Sequence, residues 1–229
     1  MNPSFKKIKA VLFDFGGTLD SDGAPWIKQF YPLYRSAGLP WTFEKFEKLF
    51  YAADDFLTGK LPQSSYSQTI QKQVSEVLKR GKVKDPTILR AIVRAYLNQS
   101  VKKIKSNVPV LKRLGKKYRM GLVSNFYGNM PRVTRELKLT GLFQVIIDSE
   151  IVGYQKPDPH IFFLALDKLK VTPGASVFVG DSPNRDMAGA KAIGMKHIRL
   201  VSREIKKTKL CCSGDVRIGN LKDLEDLLL

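Results

Sequence analysis

The sequence predicts an α/β fold in which a parallel β-sheet carries helices, with a helical block inserted after the first strand. Three observations predict it. Short apolar runs alternate with helical stretches over residues 106–229, whereas residues 21–105 have a helical pattern throughout. Several apolar runs also end in polar side chains, as strands do when a ligand site lies at their carboxyl ends. We therefore expect a core formed by residues 1–20 and 106–229, and an α-helical cap formed by residues 21–105.

The helical block divides into three predicted helices. The first has an amphipathic stripe at spacings of three and four, formed by Phe43, Phe46, Phe50, Ala53 and Leu57. Thr42 is its candidate N-cap. A second helix follows Pro62 and ends at Gly81. A third begins at Asp85, a capping residue followed by Pro86 at the first helical position.

Helices and strands alternate over the rest of the chain. The predicted helices lie near residues 107–117, 130–138, 158–170 and 185–193. The predicted strands are Met120–Ser124, Val145–Ile147, Ser176–Gly180, Lys196–Val201 and Val216–Ile218. Asn220 is the predicted cap of a C-terminal helix. This alternation is typical of βαβ units and predicts a parallel sheet.

The strongest chemical signal is the stretch from Val11 to Leu19. An apolar run ends in Asp14, and a turn through Gly16, Gly17 and Thr18 follows. A single carboxylate at a strand end, beside a flexible turn, suits a nucleophile next to a phosphate cradle. Position 16 is glycine where an Asp-based phosphatase would carry a second carboxylate. Glycine there also permits a positive φ, which aspartate tolerates poorly.

Three further segments supply polar groups that can meet Asp14 at one edge of the sheet. The run that begins at Gly121 ends in Ser124 and Asn125. Lys156 precedes Pro-Asp-Pro. The run that begins at Val177 ends in Asp181, and Asp186 follows five residues later. Since carboxyl ends of parallel strands share an edge, we expect these side chains to converge on one crevice.

The residue types in this crevice predict metal-assisted phosphoryl transfer. Asp14 and Asp181 are expected to share a Mg²⁺ ion, with the Gly16 carbonyl as a further oxygen ligand and Asp186 binding the ion or its waters. Lys156 is expected to act in catalysis by balancing the negative charge on the nucleophile and the phosphoryl group. The predicted phosphate-binding residues are Gly16, Gly17, Thr18, Ser124, Asn125 and Lys156.

Taken in order, these motifs resemble the haloacid dehalogenase-like hydrolases over nearly the whole chain. The resemblance implies a Rossmann-like core with an inserted cap. It also implies a Mg²⁺-dependent phosphatase that acts on a small phosphorylated metabolite through an aspartyl-phosphate on Asp14. That family usually places a general acid/base aspartate two residues after the nucleophile, and Gly16 departs from this pattern. The departure puts the acid/base step in question and leaves the fold prediction intact.

Three alternatives follow from the missing carboxylate. A phosphonate-cleaving hydrolase would use a cap lysine that forms a Schiff base. A 2-haloacid dehalogenase would need no metal, which Asp181 and Asp186 argue against. A binding or regulatory protein would retain the fold and the metal with weak turnover. Within the phosphatase interpretation, Asp20 or Asp22 could replace the missing acid, and Trp26, Tyr31 and Trp41 are candidates for lining the cap–core crevice.

Composition sets the remaining expectations. The chain has 229 residues, 43% of them hydrophobic, and no apolar run near the ~20 residues that span a membrane. Asp14 interrupts the only signal-like segment, and the two cysteines, Cys211 and Cys212, are adjacent, so we expect a reducing, cytoplasmic location. The net charge of +18 is spread along the chain. It therefore favours anionic small molecules over nucleic acid, and it predicts no oligomeric state.

Overall fold

The computed structural model describes residues 5–202 and 216–229 and contains one six-stranded, all-parallel sheet. The predicted α/β class and Rossmann-like arrangement are confirmed. The strands, in chain order β1 to β6, are Ala10–Phe13, Arg119–Ser124, Val145–Asp148, Ser176–Gly180, Lys196–Leu200 and Val216–Ile218. Their spatial order is β3-β2-β1-β4-β5-β6. The chain therefore changes direction across the sheet between β1 and β4, where ligands bind in open α/β sheets.

The central strands are buried on both faces, as the strands of a parallel sheet must be. All four residues of β1 and all five of β4 are buried. Alternation along β1 places Val11 and Phe13 in one apolar cluster and Ala10 and Leu12 in the other. This double burial fixes where β1 ends, and therefore where the next residue, Asp14, projects.

Four helices lie between β1 and β2. They are α1 Trp26–Ser36, α2 Phe43–Leu57, α3 Tyr66–Arg80 and α4 Pro86–Gly115. We call residues 26–115 the helical insertion. The predicted starts of α2 and α4 are confirmed, because the side chain of Thr42 accepts a hydrogen bond from the Lys45 amide and that of Asp85 accepts one from the Thr87 amide.

Two features of the insertion differ from the sequence prediction. Helix α1 was not predicted, since it contains Pro32 and begins without a side-chain cap. The predicted break between the third helix and the helix near 107–117 is wrong, because α4 is continuous for 30 residues and includes Pro109. Its buried positions continue through Ile104, Asn107 and Leu111. The proposed cap–core boundary at residue 105 therefore falls within one helix.

The other helices lie on the sheet. They are α5 Met130–Glu136, α6 Ser149–Val152, α7 Pro159–Leu169, α8 Ala188–Ala192 and α9 Leu224–Leu228. A π-helical turn, Pro183–Met187, leads into α8 where one helix was predicted. Asn220 caps the C-terminal helical segment as predicted. Cys211 and Cys212 lie outside the described residues. None of the described helices is both long and apolar enough to cross a membrane.

Candidate active site

Side chains from all four predicted motifs meet at the carboxyl ends of β1, β2 and β4. Asp14 follows β1, Ser124 ends β2 and Asp181 follows β4. The Ser124 hydroxyl donates a 3.0 Å hydrogen bond to Asp14 Oδ1. The Lys156 ammonium donates to the same oxygen at 2.6 Å. Asp14, Ser124 and Lys156 are therefore assembled as the sequence predicts, on a frame of buried strands.

Lys156 bridges two buried carboxylates. Its Nζ lies 2.6 Å from Asp14 Oδ1 and 2.7 Å from Asp186 Oδ1, and its side chain is only 2% exposed. Burial by itself disfavours the ammonium, but the charges of Asp14 and Asp186 outweigh burial and raise the pKa of Lys156 above its ordinary value. The lysine is therefore a fixed positive charge at the point where three acidic groups crowd together.

Asp14, Asp181 and Asp186 form a buried acidic cluster. One oxygen from each lies within 4.8 Å of the others. Burial raises the pKa of Asp181 well above its usual range, and the charges of Asp186 and Asp14 raise it further. Within the described ranges, Asp181 Oδ1 is buried without a hydrogen-bond partner. Since a buried carboxylate oxygen without a partner is costly, the donor set fits a hard divalent cation such as Mg²⁺.

The turn after Asp14 approaches this cluster closely. A Cβ on Gly17 would lie 2.6 Å from the Asp181 carboxylate, and Gly17 has a φ of +89°. Only glycine fits such a position. The positive φ therefore falls on Gly17, and the positive-φ glycines do not include Gly16. A positive φ therefore does not stand against aspartate at position 16, contrary to the expectation from the sequence.

Of the predicted phosphate-binding groups, the Gly17 amide and the Asn125 side chain form hydrogen bonds within the protein, and Thr18 is buried. The Gly17 amide donates to Asp20 Oδ1 at 2.7 Å. Thr18 is fully buried, and within residues 5–202 and 216–229 its hydroxyl has no partner. The Asn125 side chain accepts from the Lys156 amide at 2.7 Å and donates to the Lys156 carbonyl at 3.0 Å. Asn125 therefore holds the backbone of Lys156 in place.

Asp20 lies beneath this turn and holds an aromatic residue of the insertion. Its Oδ2 accepts from the Trp26 indole Nε1 at 2.5 Å and from the Tyr96 hydroxyl at 3.0 Å. Burial raises the pKa of Asp20 to about 6. Asp22, the other sequence candidate for a proton donor, instead pairs with Lys103 at 2.5 Å and lines a separate cavity.

A cavity of about 310 Å³ lies in front of Asp14. The core contributes Gly16, Ser124, Asn125 and Lys156, and the insertion contributes Trp26, Phe50, Tyr51, Asp54 and Asp55. Of the three aromatic residues proposed for a crevice, Trp26 lines this cavity. Tyr31 and Trp41 instead pack within the insertion, where the Tyr31 hydroxyl donates to the Trp41 carbonyl at 3.1 Å.

Sequence reasoning missed several charged residues at the cavity, two of which are Asp54 and Arg185. Asp54 on α2 accepts a hydrogen bond from the Tyr127 hydroxyl, and burial raises its pKa to about 6. Arg185, in the π-helical turn, also reaches the cavity wall. No local pattern marks either residue, because each becomes part of the site only when the insertion packs over the sheet.

Comparison with known proteins defines the class. The model of the haloacid dehalogenase-like hydrolases matches residues 8–194, so the chain belongs to this family. The site and the fold together are those of a hydrolase of this class.

Some of the relatives that this chain resembles are named phosphatases. A glyceraldehyde 3-phosphate phosphatase from Methanothermobacter thermautotrophicus is 29% identical over 88% of this chain and 89% of that protein. A phosphoserine phosphatase from Thermus thermophilus is 34% identical over 42% of this chain, but the match spans only 39% of that relative. A 2-haloacid dehalogenase structure from Pseudomonas syringae covers 96% of this chain and 97% of its own, with a TM-score of 0.55 and 24% identity. At this identity, the structural likeness supports the fold alone.

Proposed function

We propose that this hydrolase is a Mg²⁺-dependent phosphatase that acts on a small phosphorylated metabolite through a covalent intermediate on Asp14. The observation that carries the proposal is the contact of Lys156 with Asp14 inside a buried cluster of three carboxylates. Lys156, together with the cation that such a cluster would hold, would neutralise and position a phosphoryl group, which is most of what phosphoryl transfer requires. The names of the phosphatase relatives support the same reaction.

The proposed reaction has two displacements at phosphorus. Asp14 Oδ1 already accepts hydrogen bonds from Ser124 and Lys156, so we assign the attack to Oδ2. A new O–P bond forms while the ester P–O bond breaks, and its electron pair stays on the leaving oxygen. Water then attacks phosphorus, the Asp14 Oδ2–P bond breaks with its electron pair returning to the carboxylate, and the proton of the water passes to bulk solvent as inorganic phosphate leaves. Covalent catalysis of this kind divides one difficult step into two easier ones.

Asp14, Asp181, Asp186 and the Gly16 carbonyl would hold the Mg²⁺. Its charge would stabilise the negative charge that develops on the phosphoryl oxygens. Lys156 adds a second positive charge at a fixed position, and Ser124 orients Asp14. Asn125 positions Lys156 through its backbone in this proposal. Gly16 stands where a proton donor is expected, so leaving groups that need no proton should react fastest.

The proposal also covers the role of the helical insertion and the cellular location of the reaction. The helical insertion acts as a cap that covers the cavity and selects the substrate, and the reaction takes place in the cytoplasm. The dehalogenase alternative is less favoured because a haloacid reaction has no use for the buried carboxylates of Asp181 and Asp186. A phosphonate-cleaving reaction would need a cap lysine at the cavity. The cavity-lining residues of the insertion include aromatic and acidic side chains, and the only lysine that lines the cavity in the described residues is Lys156.

A substrate screen tests the proposal. The protein should release phosphate from acyl, aryl or alkyl phosphates in Mg²⁺ and lose that activity in EDTA. Phosphonoacetaldehyde and 2-chloropropionate serve as probes for the alternatives. Halide release in EDTA, or phosphonate cleavage without phosphatase activity, would replace the proposal with the corresponding alternative.

A further inference from the structure

We propose that Trp26 determines specificity on the leaving-group side of the cavity and selects phosphate esters of acidic, planar alcohols such as phenols. This inference rests on the proposed phosphatase function. Trp26 is the first residue of α1, is half-buried, and lines the cavity together with Asp14 and Gly16. Of the aromatic residues that the insertion contributes to the cavity, Trp26 is the one that contacts Gly16.

The Trp26 indole occupies the side-chain space of position 16. A Cβ built on Gly16 would lie 3.0 Å from Nε1, 3.3 Å from Cε2 and 3.4 Å from Cδ1 of the indole. The first two separations are shorter than ordinary van der Waals contacts, so a larger side chain at position 16 requires the ring to shift by a few tenths of an ångström. Since positive φ falls on Gly17 and not on Gly16, the tryptophan is what disfavours a larger side chain here.

The ring is held in this place from several sides. Its Nε1 donates to Asp20 Oδ2 at 2.5 Å, and Oδ1 of the same carboxylate accepts from the Gly17 amide at 2.7 Å. Asp20 thereby ties the indole to the turn after β1. The ring also packs edge-on against three aromatic side chains at centroid distances of 5.7–6.0 Å, namely Phe30, Tyr96 and Phe126.

This arrangement makes the surface next to Gly16 apolar, whereas Asp54 and Asp55 lie elsewhere in the cavity lining. Because the indole N–H is already donated to Asp20, the ring presents its carbon surface to the cavity. A planar leaving group can pack on that surface, and an acidic one departs as an anion without needing a proton. Alkoxides are poor leaving groups without general acid catalysis, which typically contributes ~10²–10⁴-fold. Trp26 and Gly16 therefore act together against alkyl phosphates.

Substrate kinetics test the contact between Trp26 and the leaving group. With p-nitrophenyl phosphate and acetyl phosphate as probes, Trp26→Leu should raise the ratio of the aryl KM to the acetyl KM about three- to tenfold, the range expected for loss of an aromatic pair. Phe56→Leu, an exposed aromatic of the insertion, is the matched control. Asp20→Asn should move the ratio in the same direction, because it frees the ring. An equal rise in both KM values would overturn the proposal.

A double-variant cycle tests the exclusion of an acid at position 16. Gly16→Asp alone should give no gain in hydrolysis of glycerol 2-phosphate over the wild type, because the indole keeps the new carboxylate from the leaving oxygen. Gly16→Asp combined with Trp26→Ala should raise it by up to ~10²–10⁴-fold. If Gly16→Asp alone gains as much as the pair, Trp26 does not exclude the acid and the proposal fails.

Tryptophan fluorescence with phosphonates that are not hydrolysed tests the contact between Trp26 and an aryl group without any turnover. In Trp41→Phe, Trp26 is the sole tryptophan of the chain. Phenylphosphonate should change its fluorescence at concentrations where methylphosphonate does not. An identical response to both ligands would overturn the role of Trp26. By contrast, failure of the wild type to hydrolyse any phosphate would overturn the proposed function, while the fluorescence result would still decide whether Trp26 contacts an aryl group.

Discussion

The part of the cavity around Lys156 is charged, and the part next to Gly16, which we call the aromatic side, is covered by Trp26. On the charged side, Lys156 lies within 2.7 Å of both Asp14 and Asp186. On the other side, Trp26 covers Gly16 and has its N–H donated to Asp20. The charged side is built from strand ends and loops of the core, and Trp26 comes from the insertion, which also contributes Asp54 and Asp55 to the cavity wall. In our proposal, phosphoryl chemistry and leaving-group choice therefore reside in separate parts of the chain and can be changed independently.

The largest expected effect is on the charged side, at the nucleophile. Asp14→Asn keeps the size of the side chain but removes its nucleophilicity, so phosphate release should fall by at least about 10³-fold. Steady-state assays with acetyl phosphate measure this loss, and vanadate binding should persist. Asp167→Asn, an exposed carboxylate on α7, is the matched control. Wild-type turnover in Asp14→Asn would remove the covalent mechanism.

Loss of a metal ligand should be the next largest effect. Asp181→Ala should lower Mg²⁺-dependent hydrolysis at least about a hundredfold, since charge stabilisation by a metal is worth several kcal/mol. The fold should persist, because the variant removes a carboxylate whose pKa is raised by burial and by the charges of Asp186 and Asp14, and so relieves repulsion. Activity titrated against Mg²⁺, with circular dichroism, checks both statements. Equal wild-type activity in EDTA would contradict the metal assignment.

Removal of the buried lysine should destabilise the protein. Lys156→Met leaves Asp14 and Asp186 without their cation, and breaking a buried pair in this way costs about 3–5 kcal/mol at pH 7. Urea denaturation measures the loss, and Lys168→Met provides an exposed control. Added Mg²⁺ should restore part of the stability. A variant as stable as the wild type, with or without Mg²⁺, would show that the cluster is already neutral.

The smallest expected effect concerns Asp20, on the aromatic side. Its folded pKa of about 6 lies above the ordinary 3.8, so the folded state holds the proton more tightly than the unfolded state. The contribution of Asp20 to stability is therefore complete below pH 3.8 and is lost as the pH rises through about 6. Asn does not titrate. The stability of the wild type relative to Asp20→Asn should fall between pH 4 and pH 7 by up to about 3 kcal/mol.

Urea denaturation at the two pH values measures this difference. The constant part of the difference reports the hydrogen bonds that Asp20 accepts from Trp26, Gly17 and Tyr96. Only the part of the free-energy difference that changes with pH tests whether the pKa of the buried Asp20 carboxyl is raised. If the difference in unfolding free energy between the wild type and Asp20→Asn does not change with pH, the pKa of Asp20 is not raised. The folded protein would then hold the ionised Asp20 carboxylate at little free-energy cost.

The charged side could be predicted from the sequence because its geometry is local. Each of its residues follows a recognisable apolar run or a proline-rich loop, and parallel strands bring their carboxyl ends together without further information. Asp14, Ser124 and Asp181 therefore meet as expected. The pattern did not reveal how the polar groups are oriented. The Asn125 side chain forms hydrogen bonds with the Lys156 backbone, and the Gly17 amide donates to Asp20.

The aromatic side depends on packing between segments that sequence patterns do not connect. Helix α1 has Pro32 in its interior and no capping side chain, so its start at Trp26 was not predicted. The capped starts of α2 and α4, at Thr42 and Asp85, were predicted because capping is a local signal. The contacts that Trp26 makes with Tyr96 and Phe126 bring together distant parts of the chain.

Helix α4 has a mechanical consequence. At about 1.5 Å per residue, its 30 residues form a rod about 45 Å long that runs without interruption from the insertion to the start of β2. A swing of the insertion away from the sheet must therefore bend this rod or tilt it as a whole. The rod is weakest at Pro109, where the missing amide removes one hydrogen bond of the helix. Stiffness in α4 thus limits how far, and in which direction, Trp26 can move away from Gly16.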